Sequence, residues 1–252
     1  SADRIFFGIA TGGTGGTYYP LGGMLAQMIS NKVVIDGKKL SATAETGNAS
    51  VANSTLLSRQ GIESAFAAAD ILDAAYKGTK QFKGKDLKNV RALGALYPET
   101  VQLVVRANSG INKFTDLKGK SISSGSPGSG QWQLLGDLLV AHGMDRKTDI
   151  KEDYSSFSQS VEKIKDGNLD ASLITAGSPT ASVLELANHH AIKIIPLTGP
   201  AIKKLQKVQP YYADAILPAN TYKGQTEDVK TIAVRAIWAT HDKLDDNTAY
   251  SV

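Results

Sequence analysis

The sequence predicts an α/β fold with parallel sheets, and three observations predict it. Short apolar runs alternate with stretches of helical periodicity along most of the chain. Two strand-to-helix junctions carry turns rich in glycine and hydroxyl residues, at 11–17 and 124–130. No repeat of fixed period and no low-complexity tract offers a competing architecture.

Taken in order, Arg4–Ala10 reads as an opening strand. Residues 19–29 form an amphipathic helix, with Leu21, Met24, Leu25, Met28 and Ile29 expected on one face. A short alternating strand at 40–44, a helix at 51–57 and a strand at 64–67 come next. The helix at 69–76 has Asp70 placed to help start it. Strands follow at 90–96 and 101–105. A second set begins after Ser109-Gly110, with strands at 121–124, 150–154, 171–174 and 192–196 and helices at 131–141, 157–164 and 181–188. Such alternation predicts parallel sheets covered by helices on both faces. A late apolar segment spans 233–238, and Asp245-Asp246-Asn247 cap a last helix start. The natural chain is expected to continue beyond Val252. Ser1-Ala2-Asp3 reads as a mature N-terminus with its signal peptide removed.

At 252 residues with 42% hydrophobic and 21% charged residues, the chain can bury a proper core in one or two domains. The net charge of +4 is spread out, and the basic pairs Lys38-Lys39 and Lys203-Lys204 lack aromatic neighbours, so they read as solvated faces and nucleic acid is not an expected partner. The mild excess still favours attraction of an anionic solute. Cysteine is absent, which excludes disulfides, thiolate catalysis and thiolate-bound zinc. No run approaches the ~18 to 20 apolar residues of a membrane span.

The first turn, Thr11-Gly12-Gly13-Thr14-Gly15-Gly16-Thr17, lies between a strand and a helix. Glycine permits close backbone approach and positive φ. The helix behind it offers unpaired N–H groups and partial positive charge, and the threonines add donors. Together they make an anion site for a carboxylate or phosphate. Ser124-Gly125-Ser126-Pro127-Gly128-Ser129-Gly130 repeats the arrangement in the second set. One such loop alone would read as a tight turn; two at matching junctions read as binding.

Nucleotide chemistry fails its own test. Gly125 and Gly130 have the outer spacing of a P-loop, but Gln131 and Trp132 stand where Lys and Ser/Thr are needed. Tyr18 replaces the last glycine of a dinucleotide fingerprint. Nor do the histidines suggest catalysis. His142 sits at a helix end before Gly143, His189 and His190 are adjacent and point apart, and His241 lies in a polar stretch. No zinc-ligand spacing occurs, so no enzyme, metal or cofactor is expected.

From about Ile5 onward the chain resembles the TAXI-type solute receptors of the TRAP (tripartite ATP-independent periplasmic) transporters. The resemblance rests on Gly12 to Gly22, Leu96-Tyr97-Pro98-Glu99, Gln102-Leu103-Val104-Val105-Arg106, Asp116-Leu117-Lys118-Gly119-Lys120, the 124–130 loop, Asp166-Gly167-Asn168-Leu169-Asp170-Ala171 and Tyr222-Lys223-Gly224. It implies a bilobed, type II-like periplasmic binding protein, monomeric and without enzymatic activity or cofactor, whose partners are the TRAP membrane subunits. The ligand it implies is a small anion such as glutamate, glutamine or 2-oxoglutarate. The same fold serving as a sensor is the alternative. Asn48-Ala49-Ser50 departs from the pattern, since members more often carry Gly-Ser before this helix.

On that resemblance, residues 1–104 with 212–252 form one lobe and 105–211 the other, joined by a two-strand hinge near Val105-Arg106 and Pro210-Tyr211. Thr14, Gly15 and Thr17 would hold one polar end of the ligand. Ser124, Ser126, Ser129 and Gly130 would grip the other. Glu45 and Asn48 would receive an ammonium group, with a surface or helix-start carboxylate as the other reading of Glu45. Tyr97 walls the cleft or belongs to the core. Gly177 and Ser178 add backbone donors. Arg106 would suit a ligand carboxylate, but its hinge position favours a structural role.

Overall fold

The computed structural model describes residues 4–125, 127 and 129–252. The chain divides into two compact units, one running up to Tyr97 and including Arg235–Val252, the other Pro98–Val234.

In the first unit, β1 (Arg4–Ala10) leads through the 11–17 turn into α1 (Tyr18–Lys32). β2 (Val34–Ile35) and β3 (Lys38–Glu45) form a hairpin, and α2 (Ser50–Ser58) leads to β4 (Ser64–Ala68) and α3 (Ala69–Lys77). β1 pairs in parallel with β3 over its whole length and with β4 at Ile9 and Ala10, so parallel pairing gathers their carboxyl ends. Phe7, Ile9, Leu40 and Phe66 make the core under α1. Leu57, Ile62 and Ala65 fill the space around Ala10.

α1 differs from its expected pattern. Met24 and Met28 are exposed, whereas Tyr18, Gly22, Ala26 and Ile29 are buried. The reason is close approach, which selects small residues over large ones. A Cβ on Gly22 would stand 2.4 Å from Thr11 Cγ2 and 3.4 Å from the Phe66 ring. Gly22 lets α1 lie directly on the first turn.

The long strand β5 (Val90–Arg106) merges two expected strands. Pro98 lies within it, and the ladder to the second unit begins beyond, at Thr100. The second unit continues with β6 (Ser121–Ser123), α4 (Gly130–Ala141), β7 (Lys151–Asp153), α5 (Phe157–Lys165), β8 (Ala171–Ala176), α6 (Ala181–His189) and β9 (Ile192–Ile195). α7 (Pro200–Val208) and β10 (Ala213–Leu217) follow, then β11 (Val229–His241) and α8 (Asp246–Ser251). No expectation covered α7, whose start, Gly199-Pro200, carries a loop signature although proline suits a first helical position.

Pairing is mixed rather than wholly parallel. β6 runs parallel to β7 and β8, but β5 meets β8 and β9 antiparallel, β11 meets β4 antiparallel, and β10 pairs β11 antiparallel. The exceptions centre on β5 and β11, the two strands that pass from one unit to the other. The compact units divide inside these strands, at 97/98 and 234/235.

His142 ends α4, its Nδ1 2.8 Å from Leu138 O and its ring stacked on Phe114. Arg106 donates through Nη2 to Lys165 O at the end of α5, a structural use of its guanidinium. Asp116 accepts from the amides of Asn112 and Lys113 and tightens the turn before β6.

Candidate ligand site

The sequence-predicted residues fall into two groups, one in each unit. In the first, the 11–17 turn is anchored from three sides. Thr11 donates both N–H (2.8 Å) and Oγ1 (2.6 Å) to Glu45 O, fastening the turn to the end of β3. Gly47 N reaches Gly12 O at 3.4 Å. Asn53 of α2, 2% exposed, donates Nδ2 to Thr11 O and Phe66 O at 2.8 Å and to Ala10 O at 3.4 Å. Sequence reasoning missed Asn53, because a polar residue inside a helix carries no signal of what it reaches.

On this frame Thr14 is exposed, Gly15 buried and Thr17 half-buried. Thr17 Oγ1 lies 2.8 Å from the Tyr97 hydroxyl, so two predicted site residues do meet. Tyr97 also packs edge-on to Tyr18 and against the core of this unit, which agrees with the core reading given to it. Gly12 and Gly13 do not adopt positive φ, so here glycine serves access rather than turn geometry. Nothing lies within 4 Å of where a Gly13 Cβ would stand. The first turn of α1 holds no acidic residue, so the helix offers no carboxylate of its own to its positive end. Glu45 and Asn48 are exposed at the end of β3.

Beside Asn48, Ala49 has φ 63° and ψ −145°, a conformation that favours glycine. This is where the sequence departs from the expected Gly-Ser. Ala49→Gly is expected to raise unfolding free energy by about 1 kcal/mol, the relief of strain exceeding glycine's extra chain entropy. Chemical denaturation of both proteins measures it.

In the second unit, Ser129 caps α4 by accepting from Trp132 N at 3.2 Å, and Gly130 is its first residue. The Ser129 hydroxyl is thus engaged as a helix cap. Again the first turn lacks an acid. Ser124 is fully buried, its N–H bonded to Asp153 O at 3.1 Å. Ser126 lies outside the described residues.

Gln131, noted only for failing a P-loop, has a specific role. Its Nε2 donates to Leu173 O and its Oε1 accepts from Thr175 N, both at 2.7 Å. β6 ends at Ser123, opposite Ser172, so this amide takes the place of the next peptide of β6 and keeps the β8 edge paired.

Gly177 is buried and Ser178 exposed in the turn after β8, where the Ser178-Pro179 bond is cis. A closed ring of buried hydrogen bonds supports this turn. Thr180 N donates to the Tyr222 hydroxyl (2.9 Å), which donates to Gln102 Oε1. Gln102 Nε2 donates to Thr180 Oγ1 (2.9 Å), which donates to Gly177 O (2.8 Å). Burial pushes the Tyr222 phenol above its ordinary pKa. At the end of β7, burial would raise the Asp153 carboxyl, but hydrogen bonds from Lys163 and Ser155 outweigh it and hold the group below the usual value.

Among the described residues no group of three or more acidic, histidine or cysteine side chains could hold a metal ion, and no helix is long and apolar enough to cross a membrane.

Two α/β units, each with a glycine- or serine-rich turn opening a helix at a strand end, define a class of fold with many solved relatives. The periplasmic aliphatic sulphonate binding protein SsuA from Escherichia coli matches with a TM-score of 0.52 at 19% identity, over 77% of this chain and 60% of that one. The chain thus spans about 60% of that protein's length. The effector binding domain of a BenM variant matches at a TM-score of 0.58 and 13% identity, covering 98% of this chain and 90% of the domain. A protein of Bordetella bronchiseptica RB50 matches at 0.57 and 19%, over 98% of this chain and 68% of its own. Residues 9–252 match the model of the NMT1-like family, and the chain belongs to that family.

Proposed function

We propose that this chain is an extracytoplasmic solute receptor that captures a small anion and hands it to a membrane transporter, without chemistry on the ligand. One observation carries the reading: each compact unit presents a turn of glycines and hydroxyls at the start of a helix whose first turn contains no acid. The likeness of the fold to a periplasmic sulphonate-binding protein supports it. The TAXI resemblance narrows the ligand to glutamate, a related acidic amino acid or a C5 dicarboxylate, and the partner to TRAP membrane subunits in the periplasm. In this reading the lobes are units of motion, the two strands between them act as a hinge, and a ligand held from both sides favours the closed form. Thr14, Gly15 and Thr17 then hold one end and Ser124, Ser126 and Gly130 the other, with Glu45, Asn48, Gly177 and Ser178 at the margins.

A second reading, a sensor for a small anion, is favoured by the likeness to the BenM effector binding domain. Both readings require anion binding. Thermal unfolding with L-glutamate, 2-oxoglutarate, ethanesulfonate and glucose tests it, because a ligand of the folded state stabilises by RT ln(1 + [L]/Kd), about 2.7 kcal/mol at 100 Kd. An acidic amino acid or dicarboxylate is expected to raise the midpoint and glucose to leave it unchanged. A response to glucose with all three anions silent overturns the ligand class.

A further inference from the structure

Among the described residues, the second unit contains three buried hydroxyls with no hydrogen-bond partner, Ser124, Thr175 and Ser182, and the first two fall at the ends of the neighbouring strands β6 and β8. Ser124 Oγ and Thr175 Oγ1 are each shielded from solvent and find no hydrogen-bond partner. Burying a hydroxyl unpaired is costly, so such groups call for an explanation. Their placement supplies one. β6 and β8 run parallel with Ile122 opposite Ala171 and Ser123 opposite Ser172, and Ser124 stays in the ladder through its bond to Asp153 O. Alternation therefore puts Ser124 and Thr175 on one sheet face, together with Ile122 and Leu173. Ile174 and Ala176, on the opposite face, pack into the cluster with Val161 of α5 and Val183 and Leu186 of α6. α4 also packs on β8, and its first turn is fastened to Leu173 and Thr175 through Gln131. Both hydroxyls thus lie at the carboxyl ends of adjacent strands, beside the start of the twelve-residue helix α4.

From this placement we infer that Thr175, with Ser124 and the first-turn amides of α4, forms an oxyanion-reading half-site contained within the second unit, and that Thr175 is its specificity-determining residue. Both hydroxyls are donors waiting for an acceptor, and the helix end favours a negative one. A carboxylate or sulfonate head supplies several acceptor lone pairs on one centre, which a neutral hydroxyl of a sugar does not. The inference rests on the anion-receptor reading and adds a residue to it that the loop motif did not reveal.

The test uses the whole chain and two variants, Thr175→Val and Ser124→Ala, with 2-oxoglutarate, L-glutamate and ethanesulfonate as probes and glucose as the neutral control. Calorimetry is expected to show affinity for the best anion falling at least tenfold in each variant. Without probe, both variants are expected to unfold at or above the wild-type midpoint, since each loses an unsatisfied buried group rather than a bond. Anion affinity unchanged in Thr175→Val overturns the half-site while leaving the receptor reading standing. A clear drop in midpoint without probe also overturns it, by giving the hydroxyls a structural role. Wild-type protein that binds glucose alone, or no probe at all, overturns both.

Discussion

Tyr222→Phe is expected to lower unfolding free energy by about 2 to 4 kcal/mol, although it removes a single oxygen. That oxygen accepts from Thr180 N and donates to Gln102 Oε1, and all three residues are at most 2% exposed. Phenylalanine fills the same space and satisfies neither group. Each buried polar group left unpaired costs about 1 to 3 kcal/mol. Urea denaturation of the whole chain measures the loss, and hydrogen exchange at the Thr180 amide localises it to the turn after β8. Because the ring acts as a unit, Gln102→Leu combined with Tyr222→Phe is expected to cost less than the two singly added. Strict additivity would show the bonds to be independent. The turn carrying Gly177 and Ser178 stands on this ring, so a receptor that needs it ordered should lose affinity along with stability.

The same ring shows what the sequence discloses and what it withholds. Gln102 and Tyr222 both stood in strings that mark the family resemblance, yet nothing in their neighbourhoods says that residues 120 positions apart touch. Periodicity reports which face of an element is buried; it does not report partners. The two turns were legible because glycine, hydroxyl and helix signals fall together within seven residues. α1 was misread on one side because the pattern credits large apolar residues, whereas close packing on Thr11 calls for Gly22 and leaves Met24 and Met28 outside. The mixed pairing was hidden for a related reason. Strand-helix alternation predicts parallel neighbours, but β5 and β11 each pass through both units and meet strands far away in sequence. Gln131 and Asn53 illustrate the remaining gap, since a helix-borne amide that completes a sheet edge looks in sequence like any solvent-facing one.

Asn53 offers the sharper test of how the first turn is held. Asn53→Ala removes a donor shared by three backbone carbonyls, Ala10, Thr11 and Phe66, and leaves a small void. A loss of about 2 to 4 kcal/mol is expected in urea denaturation. Asn53→Asp is the more telling change, because it keeps shape and volume while reversing the role of the terminal atom. An ionised carboxylate there would face carbonyl oxygens in a buried site, so the folded state favours the neutral acid and the folded pKa rises above the unfolded value of about 3.9. The folded protein then binds more protons than the unfolded chain over the window between those two values, and stability must fall as pH rises through it. Asn53→Asp is accordingly expected to be less stable than Asn53→Ala at neutral pH and to recover part of the difference on acidification, when the protonated acid can donate one bond. Parallel pH profiles for wild type and Asn53→Asp would mean that the amide is not what holds the turn. If it is, loosening Thr11 should also weaken any anion bound by Thr14 and Gly15, although Asn53 itself lies buried beneath the turn.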